Sequence, residues 1–385
     1  MDIAIIYNFG EHPGGGDLVS LNIIEALLNK GHNVWLYTSH LKGLDEAIKY
    51  FSKDTKLIEK IEIKSVYVSR SIKHPYNIYM VTKKSINELK RFNLVIFFDD
   101  IPKPALELRK VFIYVHYPHA ARILLNQLVP YRYHSTFKGR IIWKMHSILF
   151  KKCFLTDWNK PNIFVAVNST LTYDHAAKAL RPMHITKIYP PVQVEQITRY
   201  VERAGKNRED LAVYIGRIQP EKGIADIIKA LTLIKRTSIS IKIMGFLFDE
   251  KYLKHLINLA KSLSVTKRVE IVPNALRETV LESLAKAKVL IHPAHYECFG
   301  IAVVEGMAAR CVPIVRKGVN GPWIDVVEQG RYGYGFESID ELAKNIKLAM
   351  HRYEEASYIA KERARIFSET VFKKRIANYV GRIAG

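Results

Sequence analysis

Short unbroken apolar runs alternate with stretches of helical period along nearly the whole chain. "IAIIY" (3–7) is followed by a glycine turn and by "LVSLNIIEALLNKG" (18–31), whose apolar positions recur at helical spacing. The runs "NVWLYT" (33–38), "IEIKSVYV" (61–68), "LVIFF" (94–98), "VFIYVHY" (111–117) and "NIFVAVNS" (162–169) come next. Strands that read as continuous apolar runs, with helices between them, predict a parallel sheet covered on both faces. After residue 210 the rhythm restarts with "LAVYIG" (211–216), "ISIKIMG" (239–245), "VEIVP" (269–273), "VLIHP" (289–293) and "VPIVRK" (312–317). The pattern predicts two doubly wound, Rossmann-like α/β domains in tandem, which a chain of 385 residues accommodates. The expected division is 1–190 for the first domain, 191–210 for a linker and 211–365 for the second domain. A helix over 366–385 would follow, packing back on the first domain. Pro190-Pro191 excludes helix at the start of the linker, and the charged residues after it read as a connector.

Charge adds a constraint on partners. The chain carries 59 Lys and Arg against 37 Asp and Glu, a formal charge of +22. The excess is spread over both halves, so it is no basic tail. Such a field favours polyanionic partners: nucleic acid, anionic lipid or phosphorylated substrates. Three cysteines without a CxxC pair suggest a reducing compartment. "MDIAIIYNFG" reads as a strand rather than a signal peptide, and no window holds eighteen apolar residues in a row. A cytoplasmic protein is expected.

Three loops carry candidate chemistry. "FGEHPGGGD" (9–17) joins the first strand to the first helix; its glycines permit close backbone approach, and the helix start offers unpaired N–H groups. The spacing is not GxGxxG and no acidic residue ends the second strand, which argues against a nicotinamide dinucleotide site. A merely tight turn stays open as the alternative. In "YIGRIQPEKGIADIIKAL" (214–231), Arg217 and Lys222 flank a loop that opens a helix and could hold a diphosphate. A solvated basic loop is the plainer alternative. In "HPAHYECFGIAVVE" (292–305), Glu297 lies in a loop and Glu305 on the helix that follows, with the amides of Phe299, Gly300 and Ile301 at the helix start. No His, Cys and Asp cluster has metal-ligand spacing, so no metal and no cofactor are expected.

"GRIQPEKG" and "ECFGIAVVE" together resemble the paired signatures of the family 4 retaining glycosyltransferases. Within that family, "IYVHYP", "VNST", "IYPPV" and "ECFGIAVVEGMAA" look like the dolichol-linked-oligosaccharide α-1,2-mannosyltransferases. The resemblance implies a GT-B fold, two Rossmann-like domains facing a central cleft, and transfer of a hexose, mannose favoured, from a GDP- or UDP-linked donor. By the same resemblance Arg217 and Lys222 grip the diphosphate, Glu297 lies by the donor sugar, and Glu305 lies by the ribose. Gly14, Gly15 and Gly16 face the reacting centre, and His116 contacts the donor sugar. The implied catalytic pair is His116 and Glu297. One departure is Arg310, where the family usually has glycine.

Residues 121–158 interleave basic and aromatic side chains, and up to Phe154 hold no acidic residue. Lys138, Arg140, Trp143, Lys144, Lys151 and Lys152 form its candidate membrane or acceptor patch, with Tyr131, Arg132 and Tyr133 preceding them. A single-stranded nucleic-acid surface and an ordinary core helix are the alternatives. The expectation is a glycosyltransferase peripheral on the inner face of a membrane, acting on a glycan or polyprenyl-phosphate-linked acceptor, with nucleic acid not expected as a partner. Its rivals are a nucleotide-sugar epimerase of the same architecture and a non-enzymatic nucleic-acid-binding protein.

Overall fold

The computed structural model describes residues 1–10, 13–69, 71–117, 119–125, 136–205, 207–235 and 238–384. The chain forms two compact units, Met1–Pro191 with Thr370–Gly385, and Val192–Glu369.

Among the described residues the first unit holds a seven-stranded parallel sheet. Its strands are β1 (Asp2–Ile6), β2 (Asn33–Thr38), β3 (Glu62–Ser65), β4 (Leu94–Phe98), β5 (Val111–Val115), β6 (Ile163–Val167) and β7 (His184–Lys187). They lie in the order β3-β2-β1-β4-β5-β6-β7. The unbroken apolar runs resolve into two interleaved faces, because successive side chains of a strand point opposite ways. Ile3, Ile5, Leu36, Ile96, Phe112 and Tyr114 enter one core. Ala4, Ile6, Val95, Phe97, Ile113 and Val115 enter the other. The helix Glu369–Ala384 sets Phe372, Ile376, Val380 and Ile383 into the first of these cores. Lys373 fixes the same helix with an ion pair to Glu25 at 2.6 Å.

The second unit holds a six-stranded parallel sheet ordered β10-β9-β8-β11-β12-β13. Its strands are β8 (Glu209–Ile215), β9 (Ser240–Gly245), β10 (Val269–Pro273), β11 (Ala287–His292), β12 (Val312–Arg316) and β13 (Tyr334–Phe336). The stretch expected as a linker is largely helix: Val194–Ala204 belongs to this unit and buries Val194, Ile197 and Val201. Its apolar stripe is one residue wide per turn, and the charges around it hide it. The segment 366–385 is likewise divided, since the helix begins at Glu369 and the residues just before it belong to the second unit. Arg310 takes a left-handed backbone (φ 62), a conformation that glycine adopts without strain. Its guanidinium is held there by Glu354 at 3.2 Å.

Each sheet reverses its winding once, between β1 and β4 in the first unit and between β8 and β11 in the second. Ligands of doubly wound sheets bind beyond the carboxyl ends of the strands at that reversal. The candidate binding loops are therefore those after β1 and β4, and those after β8 and β11.

Candidate functional site

The loops after β8 and β11 carry the basic pair and the first glutamate. They approach so closely at Gly223 (φ +67) that a Cβ there would lie 2.5 Å from the Pro293 carbonyl oxygen. His295 N–H donates to the Glu221 carbonyl across the same gap, at 3.4 Å. The approach brings Lys222 Nζ to 2.5 Å from Glu297 Oε2, with both side chains mostly buried. His292, the last residue of β11, places Nε2 3.6 Å from the same oxygen. Burial alone would raise the Glu297 carboxyl, but Lys222 and then His292 hold it well below the usual carboxylate range. Glu297 is therefore an ionised, paired group at neutral pH, poor as a base and poor as a nucleophile.

A buried clamp fixes the Glu297 loop from behind. Asn320 Oδ1 accepts from Glu297 N–H at 3.0 Å, and Asn320 Nδ2 donates to the Ala294 carbonyl at 3.1 Å. Gly321 N–H donates to the Glu297 carbonyl at 2.9 Å. Gly321 has to lack a side chain, since a Cβ would sit 1.8 Å from the Cys298 carbonyl oxygen. Gly300 then turns through a left-handed conformation (φ 91) and opens the helix Ile301–Ala308. The first amides of a helix have no intrahelical partner, so Phe299, Gly300 and Ile301 stand where backbone N–H groups can receive an anion. The Phe299 side chain is core, packed edge-on against Phe367 at 5.3 Å, so only its backbone is available for that role.

Glu305, on the Ile301–Ala308 helix, is held by Arg277, whose Nη1 lies 2.7 Å from Oε1. Arg277 opens the helix Arg277–Lys286 just beyond β10. A cation at a helix N-terminus opposes the macrodipole, so local helix stability does not account for it. The pair is instead a tertiary feature that orients the Glu305 carboxylate. Arg217 is exposed, its guanidinium 5.8 Å from the Phe248 ring, and it is not joined to Lys222.

In the first unit, His116 directly follows β5, beside Asp99 at the end of β4. Asp99 Oδ1 accepts from the backbone N–H groups of His116 (2.7 Å) and Tyr117 (2.9 Å). It also lies 3.4 Å from His116 Nδ1. Burial would raise the Asp99 carboxyl, but His116 pulls it below its ordinary value. The His116 ring stacks on Phe98 and meets Tyr114 edge-on. Its Nε2 is buried with no partner among the described residues. Gly15 and Gly16 begin the helix Gly15–Leu28, where Asp17 Oδ2 accepts from Gly14 N–H at 2.8 Å. Asp17 Oδ1 accepts from Tyr7 at 3.1 Å, and a Cβ at Gly16 would lie 3.0 Å from that hydroxyl. Burial raises the Asp17 carboxyl.

Of the sequence-predicted residues, the structure brings Lys222 to Glu297, and sets Gly300 and Ile301 at the start of the helix that carries Glu305. It leaves Arg217 apart on the surface. The described part of the basic-aromatic patch is the helix Phe137–Phe154. On it Lys138, Arg140, Lys144, Lys151 and Lys152 are exposed, while Trp143 is half-buried against His146. Tyr131, Arg132 and Tyr133 lie outside the described residues. Sequence reasoning missed Asn320, Gly321, Arg277 and Asp17. Of these only the turn-like Asn-Gly pair at 320–321 left a signal.

Residues 196–366 match the family model described as glycosyl transferases group 1. That match covers nearly the whole of the second unit. The GDP-Man:Man(3)GlcNAc(2)-PP-Dol alpha-1,2-mannosyltransferase of Neurospora crassa is 28% identical over 270 residues, 60% of this chain and 46% of the relative. The protein of the same name from Caenorhabditis elegans is 24% identical over 366 residues, 85% of this chain and 78% of the relative. The chain thus spans about half the length of the Neurospora protein. A glycosyltransferase crystal structure from Rickettsia africae superposes with a TM-score of 0.71 at 15% identity, covering 99% of this chain and 98% of that one. The fold is GT-B.

In the second unit the Arg277–Glu305 pair makes a concrete expectation. Arg277→Ala frees the carboxylate to rotate and is expected to weaken nucleoside diphosphate binding about tenfold, leaving pyrophosphate binding unchanged. Calorimetric titration of both ligands checks it; equal losses for the two would assign Arg277 to the diphosphate instead.

Proposed function

We propose that the chain is a retaining family 4 mannosyltransferase. It transfers mannose from GDP-mannose to a polyprenyl-pyrophosphate-linked oligosaccharide at the cytosolic face of a membrane. The observation that carries the reading is the Lys222–Glu297 pair at the winding reversal of a group 1 glycosyl transferase domain. The donor and the acceptor follow the names of the relatives, which act on GDP-mannose and a dolichol-linked glycan.

The chemistry demands stabilisation of a leaving diphosphate. Lys222, Arg217 and the amides at Gly300 and Ile301 supply fixed positive charge and N–H donors where that charge grows, so no metal is required. Arg217 is exposed on its loop and would swing from the Phe248 ring onto the phosphate. Lys222 would share its ammonium between Glu297 and the β-phosphate. The bond from C1 of mannose to the β-phosphate oxygen breaks as the acceptor hydroxyl oxygen bonds to C1 on the same face. The hydroxyl proton passes to the departing phosphate oxygen, and GDP leaves. Glu297, kept ionised and paired, accepts hydrogen bonds from sugar hydroxyls rather than attacking C1. In the first unit the Asp99 carboxylate steers His116 Nδ1 and leaves Nε2 without a partner among the described residues. Arg277-anchored Glu305 accepts from the ribose.

The test is incubation with labelled GDP-mannose and a synthetic polyprenyl-pyrophosphate-linked oligosaccharide in EDTA. The expected product is an α-linked mannoside together with GDP. A β-linked product, a requirement for divalent metal, or transfer from UDP-sugars only would overturn the corresponding part of the proposal.

A further inference from the structure

The helix Phe137–Phe154 exposes an apolar face that no part of the described fold covers. Phe137 is 73% exposed, Met145 66% and Ile148 62%, and Ile141, Ile142 and Leu149 are also exposed. Single exposed apolar side chains are ordinary, but six on one helix form a contiguous patch. At about 100° per residue, these six fall within about 140° of the helix circumference. Arg140, Lys144 and Lys151 run along one border of that arc, and Lys138 and Lys152 stand at its two ends. The opposite side, with Gly139, Phe150, Cys153 and Phe154, is buried.

The buried side shows that the helix is docked on its unit and cannot turn its apolar face inward. Phe150 and Phe154 stack on each other at 4.9 Å and enter the core formed with Val115 and Trp158. Tyr76 hydroxyl bonds the His146 ring at 2.9 Å. The helix carries five basic residues and no acidic one, so its charge is complementary to an anionic surface. Among the described residues no helix is long and apolar enough to cross a membrane.

We propose that this helix lies in the plane of an anionic lipid bilayer. Phe137, Ile141, Met145 and Ile148 enter the acyl boundary, while Arg140, Lys144 and Lys151 contact lipid phosphates. An apolar arc bordered by basic residues on a rigidly docked helix is the arrangement that partitions to such an interface. A nucleic acid would use the basic border but would leave the aliphatic arc in water. The inner side of the helix reaches the loop after β5, since the Phe150 ring lies 6.3 Å from that of His119, three residues beyond His116. The bilayer would therefore lie close to the His116 side of the first unit. The proposal stands on the helix alone and does not depend on which sugar is transferred.

The test is co-sedimentation of the full chain with phosphatidylcholine vesicles containing about 30% phosphatidylserine, at low and high salt. Two variants are compared with the wild type: Ile141→Ser with Met145→Ser and Ile148→Ser, and Arg140→Glu with Lys144→Glu and Lys151→Glu. All six positions are exposed, and thermal unfolding of each variant reports on its fold. The wild type is expected to bind, and each triple variant to bind at least about tenfold more weakly, the charge variant having lost its salt dependence. Undiminished vesicle binding by the serine variant would overturn the proposal. So would absence of wild-type vesicle binding, whether accompanied by oligonucleotide binding through the basic border or by a dimer that the serine variant abolishes.

Discussion

Lys222→Ala is expected to lower turnover by about 10²–10³-fold, the usual loss when one preorganised group facing a developing anion is removed. The ammonium has two tasks, and both end with the substitution. It would no longer receive the leaving phosphate, and it would no longer neutralise Glu297. With Lys222 gone, burial is the dominant influence on Glu297 and its carboxyl rises. The sign is definite. In the wild type the folded carboxyl is depressed, so its favourable contribution is present above the ordinary carboxylate range and lost only at pH values below it. Donor binding should therefore be flat between about pH 5 and pH 8 in the wild type. In Lys222→Ala a decline should open on the acid side. The double variant Lys222→Ala with Glu297→Gln should regain the flat profile without regaining rate, a combination that a purely structural role for Lys222 does not give.

Gly321→Ala is expected to cost about 3 kcal/mol of stability or more in the second unit, at the upper end for forcing one methyl group into packed space. The obstacle is backbone: the new Cβ would meet the Cys298 carbonyl oxygen at 1.8 Å, and no side-chain rotation relieves that. Since Gly321 N–H also holds the Glu297 carbonyl, any relaxation must move the Glu297 loop. Whatever fraction stays folded should bind the donor poorly. Chemical denaturation followed with a nucleotide titration measures both effects. A variant of wild-type stability and affinity would show that the clamp is not needed to place Glu297.

What could be read from the chain and what could not divide along physical lines. The strands were legible because both faces of each sheet are covered, which makes runs such as "LVIFF" and "VFIYV" apolar throughout. The site loops were legible because turn glycines sit beside charged residues at the ends of those runs. Val194–Ala204 reads as a connector because Glu195, Arg199, Glu202 and Arg203 dominate it, and Val194, Ile197 and Val201 are too few to reveal a buried stripe. Asn320 and Gly321 serve Glu297 from across a strand and its turn, and local pattern carries no trace of that partnership. In the sequence Arg277 is one more charge among many; only the packing of its helix against its neighbours brings it to Glu305. Trp143 belongs by sequence to the basic-aromatic patch, yet on its helix it falls on the half-buried side with His146.

The central claim is that Lys222, held by Glu297, receives the diphosphate of a nucleotide at the winding reversal of the second sheet. The measurement that tests it most directly is calorimetric titration of the full chain with GDP in EDTA, wild type against Lys222→Ala. The account predicts stoichiometric binding by the wild type, weakened at least about tenfold in the variant. Equal affinity in the two proteins, or no GDP binding by the wild type, would contradict it.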